Sequence, residues 1–392
     1  MAKLTNKQRL YLDFNATSPL APPVREYLAK GDFLFGNPAS LHATGKRSKR
    51  AINEVRDYLY NLFDRSTQEH SLFFHSGATE GINQLVKGMA YKLHANQEKL
   101  HFFCLSSDHS CVVSQADYLQ AYGHHFSELP VTRDGAPDVE QILVLLAEAQ
   151  GKILINLTLV NNESGSVLAP EVITQIKYQY PQALIHLDAV QGPGKVEHFS
   201  ERMSGVDAFT LSCHKFGALK GIGFTFLSRN VPFHSVFEGG DQQESLRSGT
   251  ENPDAVWSVK LALEWIMAQD VGRLSRVRDE LETKILSEFS GQIEIAGANS
   301  KRRCANASYL IVAGVKADIL LTAFDLAGID VSTGSACRSG SVYPSRVLLA
   351  MGYSKEQARS AVRLSLGHLL SDDELSTLHE KVLNVLRRFK KD

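Results

Sequence analysis

Cysteine is scarce and scattered. Five residues (Cys104, Cys111, Cys213, Cys304 and Cys337) show no paired spacing of the kind that a zinc site or a disulfide framework needs. An odd, dispersed set fits a reducing compartment, and the cytoplasm is the expected location. Long hydrophobic runs are missing as well. The stretch from Met1 to Asp13 is polar and broken by charges, so it lacks the apolar core of a signal peptide. The longest apolar-rich stretches, such as Ile153 to Val160, are far too short to cross a bilayer. Charge of one sign is not in excess either: 42 Lys plus Arg stand against 43 Asp plus Glu, which favours neither nucleic acid nor a membrane as partner. The local run Lys46-Arg47-Ser48-Lys49-Arg50 reads as a solvated helix face. No Walker loop, HExxH pattern, internal repeat or low-complexity segment is present.

What remains is an ordinary globular composition, 43% hydrophobic and 22% charged over 392 residues. That length exceeds the roughly 250–300 residues at which single cores stop growing, so a large and a smaller unit are expected. Between about residues 70 and 230, short apolar runs alternate with segments of helical spacing. Ser71–Phe74, Leu100–Leu105, Lys152–Val160, Ala183–Leu187 and Ala208–Leu211 read as strands. Gly81–Leu93, Gln115–Tyr122, Val139–Ala149 and Pro170–Gln179 read as helices. The alternation predicts an α/β fold with a mostly parallel central sheet flanked by helices. Long helices over Pro253–Gln269 and Gly272–Phe289 lead into a smaller α+β unit with helices near 317–327, 345–351, 354–361 and 373–389. The expected division is a large domain over 18–265 and a small one built from 1–17 and 266–392.

In such a sheet ligands gather at the carboxyl ends of the strands, and the residues just after these strands are polar. They are His75-Ser76-Gly77-Ala78-Thr79-Glu80, Ser106-Ser107-Asp108-His109, Asn161-Asn162-Glu163, Asp188-Ala189-Val190-Gln191 and Ser212-Cys213-His214-Lys215. Five strands thus deliver chemistry to one edge. A lysine can form a Schiff base with a carbonyl cofactor, which makes Lys215 a candidate, although a lysine near glycines is more often a surface residue. Asp188, 27 residues earlier, suits the pyridinium nitrogen of pyridoxal phosphate, or else caps a turn. Gly77-Ala78-Thr79 opens a helix and can cradle a phosphate, with Ser212 and His214 as further contacts, while His109 can cover a ring face. Cys337 lies among Ser332-Thr333-Gly334-Ser335-Ala336 and Arg338-Ser339-Gly340-Ser341. So many small residues suggest an exposed loop and a reactive thiol rather than a packed one.

At these residues the chain closely resembles the cysteine desulfurases of the class V aminotransferase-like group, which have the fold-type I architecture of pyridoxal-phosphate transferases. The likeness runs in order along nearly the whole chain. It begins at Tyr11-Leu12-Asp13 with Ala16-Thr17, then Gly36-Asn37-Pro38-Ala39-Ser40 with His42, Ser76 to Glu80, and His109. Asn161-Asn162-Glu163 with Gly165, Asp188 with Gln191, His214-Lys215, Arg247-Ser248-Gly249-Thr250 and Gly334-Ser335-Ala336-Cys337 complete it. The resemblance implies that Lys215 carries the cofactor and moves protons, Asp188 pairs with its ring nitrogen and His109 stacks on the ring. It also implies that Gln191 bonds the phenolic oxygen, that Asn162 orients cofactor and substrate, and that Ala78, Thr79, Ser212 and His214 hold the phosphate. Thr250 would reach the phosphate of a neighbouring subunit in a homodimer, and Arg363 would clamp the substrate carboxylate. The implied reaction takes L-cysteine to L-alanine and leaves the sulfur as a persulfide on Cys337. A sulfur-acceptor protein would then collect it for iron–sulfur cluster assembly or thiolation.

The polar stretch after Cys337 and the next residues, Tyr343-Pro344-Ser345, resemble the long-loop branch of the group. Several departures stand out: Asp108 where a Glu is usual before the stacking His, Cys213 where a Gly is usual, Lys215-Phe216-Gly217-Ala218-Leu219-Lys220 in place of a Gly-Pro-Lys pattern, and His368 where an Arg often follows the final Gly. Selenocysteine lysis or transamination on the same scaffold, and a non-catalytic sulfur-relay scaffold, are the competing readings. Cys337, which transamination does not need, favours sulfur mobilisation over transamination, and retention of both Lys215 and Cys337 speaks against a scaffold.

Overall fold

The computed structural model describes residues 9–334 and 343–390; Cys337 therefore lies outside the described residues. Its strands, in chain order, are β1 (Leu10–Tyr11), β2 (His70–His75), β3 (Leu100–Leu105), β4 (His125–Leu129), β5 (Lys152–Thr158) and β6 (Leu184–Asp188). β7 (Ala208–Ser212), β8 (Gly223–Ser228), β9 (Ile293–Ile295), β10 (Ala307–Val312), β11 (Ile329–Asp330) and β12 (Ala361–Ser365) complete the set. β3, β6 and β7 are buried along their whole length, which is why they read in the sequence as unbroken apolar runs rather than alternating ones.

Seven strands form one sheet in the order β2-β8-β7-β6-β5-β3-β4. Neighbours are parallel from β7 through to β4, while β8 runs antiparallel to both β7 and β2. The single reversed strand keeps the carboxyl ends of the others on one edge. Helices cover both faces. Ala78–Ala95 starts directly after β2, and Pro170–Gln179 and Pro253–Met267 each begin with proline, whose missing N–H costs nothing in a first turn. Asn252 caps the last of these by accepting from Ala255 N at 3.1 Å. The basic run at 46–50 lies on the helix Ala43–Leu62 with Lys46, Arg47, Lys49 and Arg50 exposed and only Ser48 buried.

A second three-stranded antiparallel sheet, β12-β10-β9, and the parallel pair β1-β11 belong to a separate apolar cluster. That cluster joins Leu10, Leu12 and Phe14 to residues between Leu274 and Leu386. The expectation of a helix over 354–361 needs revision. The helix is only Lys355–Ala358, opened by a reciprocal cap between Ser354 and Gln357, and the chain then enters β12 at Ala361. Pairing with β10 and complete burial of all five β12 residues outweigh the local helical pattern. β4 and β8 add to the strands expected from the sequence: β4 is a half-exposed edge strand, and β8 comes after the Lys215 turn with glycine-rich spacing. Among the described residues no helix is long and apolar enough to cross a membrane.

Candidate active site

The turn Cys213–Lys215 continues β7 and turns the Lys215 side chain back across the strand ends. Its Nζ donates to the carbonyl oxygens of Asn15 at 2.9 Å and Ala16 at 2.7 Å. Burial, reinforced by the positive charge of Arg363 and opposed by Asp13 and Asp188, brings its pKa down from 10.5 to about 8. A neutral amine keeps two hydrogens for these carbonyls and frees a lone pair, which is what Schiff-base chemistry asks of a lysine.

Asp188 closes the neighbouring strand β6, buried, with Oδ1 accepting from Val190 N at 3.1 Å. Burial raises its pKa; the Val190 N–H and the positive charges of His109 and Lys215 pull the other way. A cationic ring nitrogen would relieve the same penalty. His109 caps the short helix Ser110–Val113, its Nδ1 accepting from Cys111 N at 3.2 Å and lying 3.1 Å from Cys111 Sγ. The residue is open to solvent in the cleft, yet the protein around it is enough to lower its pKa by desolvation, against the pull of Asp188.

The helix that starts at Ala78 and Thr79 has no side-chain cap, and Gly77 places no side chain over its first turn. The Ser212 hydroxyl stands 3.4 Å from where a Gly77 Cβ would be, and the Thr79 hydroxyl bonds the Cys111 thiol, whose pKa burial pushes up to about 12. His214 Nδ1 meets Thr17 Oγ1 at 3.0 Å and, desolvated beside three lysines, titrates down at about 4. An uncapped helix N-terminus ringed by hydroxyls is a fitting cradle for a phosphate. Thr250 is exposed, on the segment that Arg247 ties to this helix through Glu80 (Nε to Oε1, 2.9 Å).

Gln191 is buried. Its Nε2 donates to the same Asn15 carbonyl that holds Lys215, at 2.8 Å, and its Oε1 accepts from Lys195. Arg363, on β12, is 2% exposed; Nη2 meets Asp13 Oδ1 at 2.7 Å and Nη1 the Asn162 carbonyl at 2.8 Å, while Nε has no partner among the described residues. Asn162 is half-buried between them. Lys215, Asp188, His109, Ala78, Thr79, Ser212, His214, Gln191, Asn162 and Arg363 are thus linked at the strand ends. Asp188 acts on both Lys215 and His109, Gln191 shares the Asn15 carbonyl with Lys215, and Arg363 holds the Asn162 carbonyl. Ser212 borders the Gly77 turn that opens the helix of Ala78 and Thr79, while Thr250 is exposed. No group of three or more His, Cys, Asp or Glu among the described residues is arranged to hold a metal ion.

Aminotransferase class-V is the family whose model matches this chain, over residues 10–378. The chain belongs to that family. It is 32% identical over 390 residues to the cysteine desulfurase IscS of Dictyoglomus turgidum, covering 97% of this chain and 96% of that relative. A solved NifS-like protein from Rickettsia africae superposes with a TM-score of 0.84 at 27% identity, covering 97% of this chain and all of that one. Another solved structure, SspA in complex with cysteine, reaches 0.77 at 27% identity over 91% of this chain and 98% of its own. Cysteine desulfurases of the class V family are pyridoxal-phosphate enzymes, and the residues present fit that cofactor: an amine of lowered pKa, a buried carboxylate and an open phosphate cradle.

The part that several residues play at the site is not legible in the sequence. Asn15 and Ala16 act through backbone carbonyls, which any residue offers. Lys195 is buried behind Gln191 with its pKa lowered to about 7, chiefly by desolvation and then by Lys215. Glu163 accepts from Ser345 Oγ at 2.5 Å and from Tyr309 Oη at 3.1 Å, and Tyr309 Oη also reaches the Thr333 carbonyl at 2.7 Å, so the two described ends of the segment that carries Cys337 are linked through Tyr309.

Proposed function

We propose that this chain converts L-cysteine to L-alanine with Lys215 as cofactor lysine and proton carrier and Cys337 as sulfur acceptor. The observation that carries the reading is the placement of Lys215 and Asp188 at the ends of adjacent strands, with the uncapped helix of Ala78 and Thr79. Bound pyridoxal phosphate supplies an electron sink that makes the α-proton of an amino acid removable. With the cofactor bound, Asp188 would keep its ring nitrogen protonated, His109 would cover the ring, Gln191 would meet the phenolic oxygen, and Ala78, Thr79, Ser212 and His214 would hold the phosphate. Arg363 and Asn162 fix the substrate carboxylate and amine so that the α-proton points to the Lys215 amine. The Cys337 thiolate attacks the substrate sulfur: an S–S bond forms, the C–S bond breaks, its electron pair returns to the substrate β-carbon, and alanine leaves after proton transfer.

The sulfur then passes from the Cys337 persulfide to an acceptor protein in iron–sulfur cluster assembly or thiolation, in the cytoplasm. The chain works as a homodimer, with Thr250 reaching the partner's phosphate. Exposed Phe35, Leu41, Val236 and Phe237 support this, the last packed under Arg247 in the same segment as Thr250. The domain division is 18–265 against 1–17 with 266–392, supported by the apolar cluster that joins Leu10, Leu12 and Phe14 to residues from Leu274 onward.

The test compares alanine and sulfide release from L-cysteine by the intact protein and by Cys337→Ala, with reductant and saturating cofactor. Release that collapses in the variant while the cofactor band persists agrees with the proposal. Equal release from both proteins removes Cys337 from the reaction and favours a lyase or an aminotransferase.

A further inference from the structure

A row of buried polar side chains crosses the central sheet. Asp108 Oδ2 accepts from Asn156 Nδ2 on β5 at 2.7 Å, and Asn156 Oδ1 lies 2.6 Å from His186 Nδ1 on β6. His186 Nε2 is 2.8 Å from Thr210 Oγ1 on β7, Thr210 Oγ1 is 2.8 Å from Thr225 Oγ1 on β8, and Thr225 Oγ1 is 3.0 Å from His75 Nε2 at the end of β2. Every member is buried. Five contacts across five adjacent strands thus join Asp108, next to His109, with His75, next to the Ser76-Gly77 turn.

The donor directions come from elimination. Asn156 spends its amide N–H on Asp108, so its oxygen faces His186 and His186 Nδ1 must donate. Desolvation keeps both imidazoles neutral near pH 7, His186 at about 3 and His75 at about 4, so His186 Nε2 accepts from Thr210. Thr210 then accepts from Thr225, and Thr225 from His75. Every donor points towards Asp108, whose carboxylate also accepts from Leu105 N at 3.0 Å and Thr158 Oγ1 at 2.6 Å. Aligned bonds of this kind strengthen one another in a low-dielectric interior. The far end is wedged in place. A Cβ at Gly81, in the first turn of the helix that begins at Ala78, would stand 2.4 Å from His75 Nε2, and one at Gly223 would stand 2.7 Å from the same ring.

We propose that this chain of bonds is a positioning device that holds the ring-face loop of His109 and the phosphate cradle at Gly77–Thr79 at a fixed separation, with Asp108, Thr210 and Thr225 as positioning residues. It rests on the placement of the cofactor between those two loops. Thr225 lies on β8 outside both loops and bonds Thr210 on one side and His75 on the other, so removing its hydroxyl cuts the row just before the cradle end. Thr225→Val keeps the shape and removes the hydroxyl; Thr225→Ser keeps the hydroxyl.

The experiment measures the cofactor dissociation constant and the circular dichroism of the bound cofactor, which reports how the ring is held. Thr225→Val is expected to weaken cofactor binding about tenfold, as loss of a buried hydrogen bond would, and to diminish the dichroism, with Thr225→Ser restoring both. A variant that loses only thermal stability, with binding and dichroism unchanged, overturns the proposal. If Thr225→Val does not fold, Asp108→Asn carries the same expectation and the same refutation. Lys215→Ala is the control: if it loses no cofactor band that the intact protein has, the cofactor placement fails and the proposal falls with it.

Discussion

The lowered pKa of Lys215 has a measurable consequence for how the apoprotein captures its cofactor. Only the free amine reacts with an aldehyde. At pH 7 a lysine of ordinary pKa 10.5 is free in about 0.03% of molecules, whereas one at about 8 is free in about 10%, a gain of about 300-fold. The assay strips the cofactor, adds pyridoxal phosphate by stopped flow and tracks the Schiff-base absorbance from pH 6 to pH 10. The rate constant is expected to climb about tenfold per pH unit and to level off near pH 8. Arg363→Leu removes a positive charge that holds the lysine's pKa down and leaves Asp13 without this partner. The levelling point should therefore move upward, and each unit of movement slows capture at pH 7 about tenfold. A rate that keeps rising to pH 10 without a break, in the intact protein, would refute the reasoning: the amine would then be no more acidic than in water.

Two further expectations concern the scaffold. Gly81→Ala forces a methyl against the His75 ring and to 2.8 Å from Thr225 Oγ1, and should destabilise the fold by about 1–3 kcal/mol in urea titrations. The Arg303–Glu282 pair is bidentate at 2.6 and 2.7 Å with both side chains nine-tenths buried, so Arg303→Met alone should cost about 3–5 kcal/mol, and Arg303→Met with Glu282→Met much less; equal losses in the single and double variants would contradict it.

The half of the site made of side chains at strand ends is legible in the sequence. β3, β5, β6 and β7 are buried enough to write themselves as apolar runs, so the polar residues just past each of them read directly as cleft residues. The half made by tertiary return is not legible. The Asn15 and Ala16 carbonyls reach Lys215 across some 200 positions, and no local pattern marks a carbonyl that will be used. Asp108 is visible as a polar residue past β3 and as a departure from the usual Glu, but not as the end of a buried row. Its partners Asn156, His186 and Thr210 lie at inward positions of strands, where polar residues interrupt an apolar run without revealing what they face. β12 reads partly as the end of a helix because Ser354 to Ala358 does start one; burial against β10 decides the rest.

The N-terminal strand also sets an order of events. Asn15, whose carbonyl holds both Lys215 and Gln191, is itself held by Ser365 Oγ at 3.0 Å and by Asn306, and β1 pairs with β11 some 320 residues later. Contacts of such sequence separation are slow to form. During synthesis the sheet, the cofactor lysine and the Asn15 and Ala16 carbonyls emerge long before Asn306 and Ser365, which hold Asn15. A chain released before Ser365 would keep the Asn15 and Ala16 carbonyls but lack one of the groups that fix Asn15, so the final setting of the amine waits until the polypeptide is nearly complete.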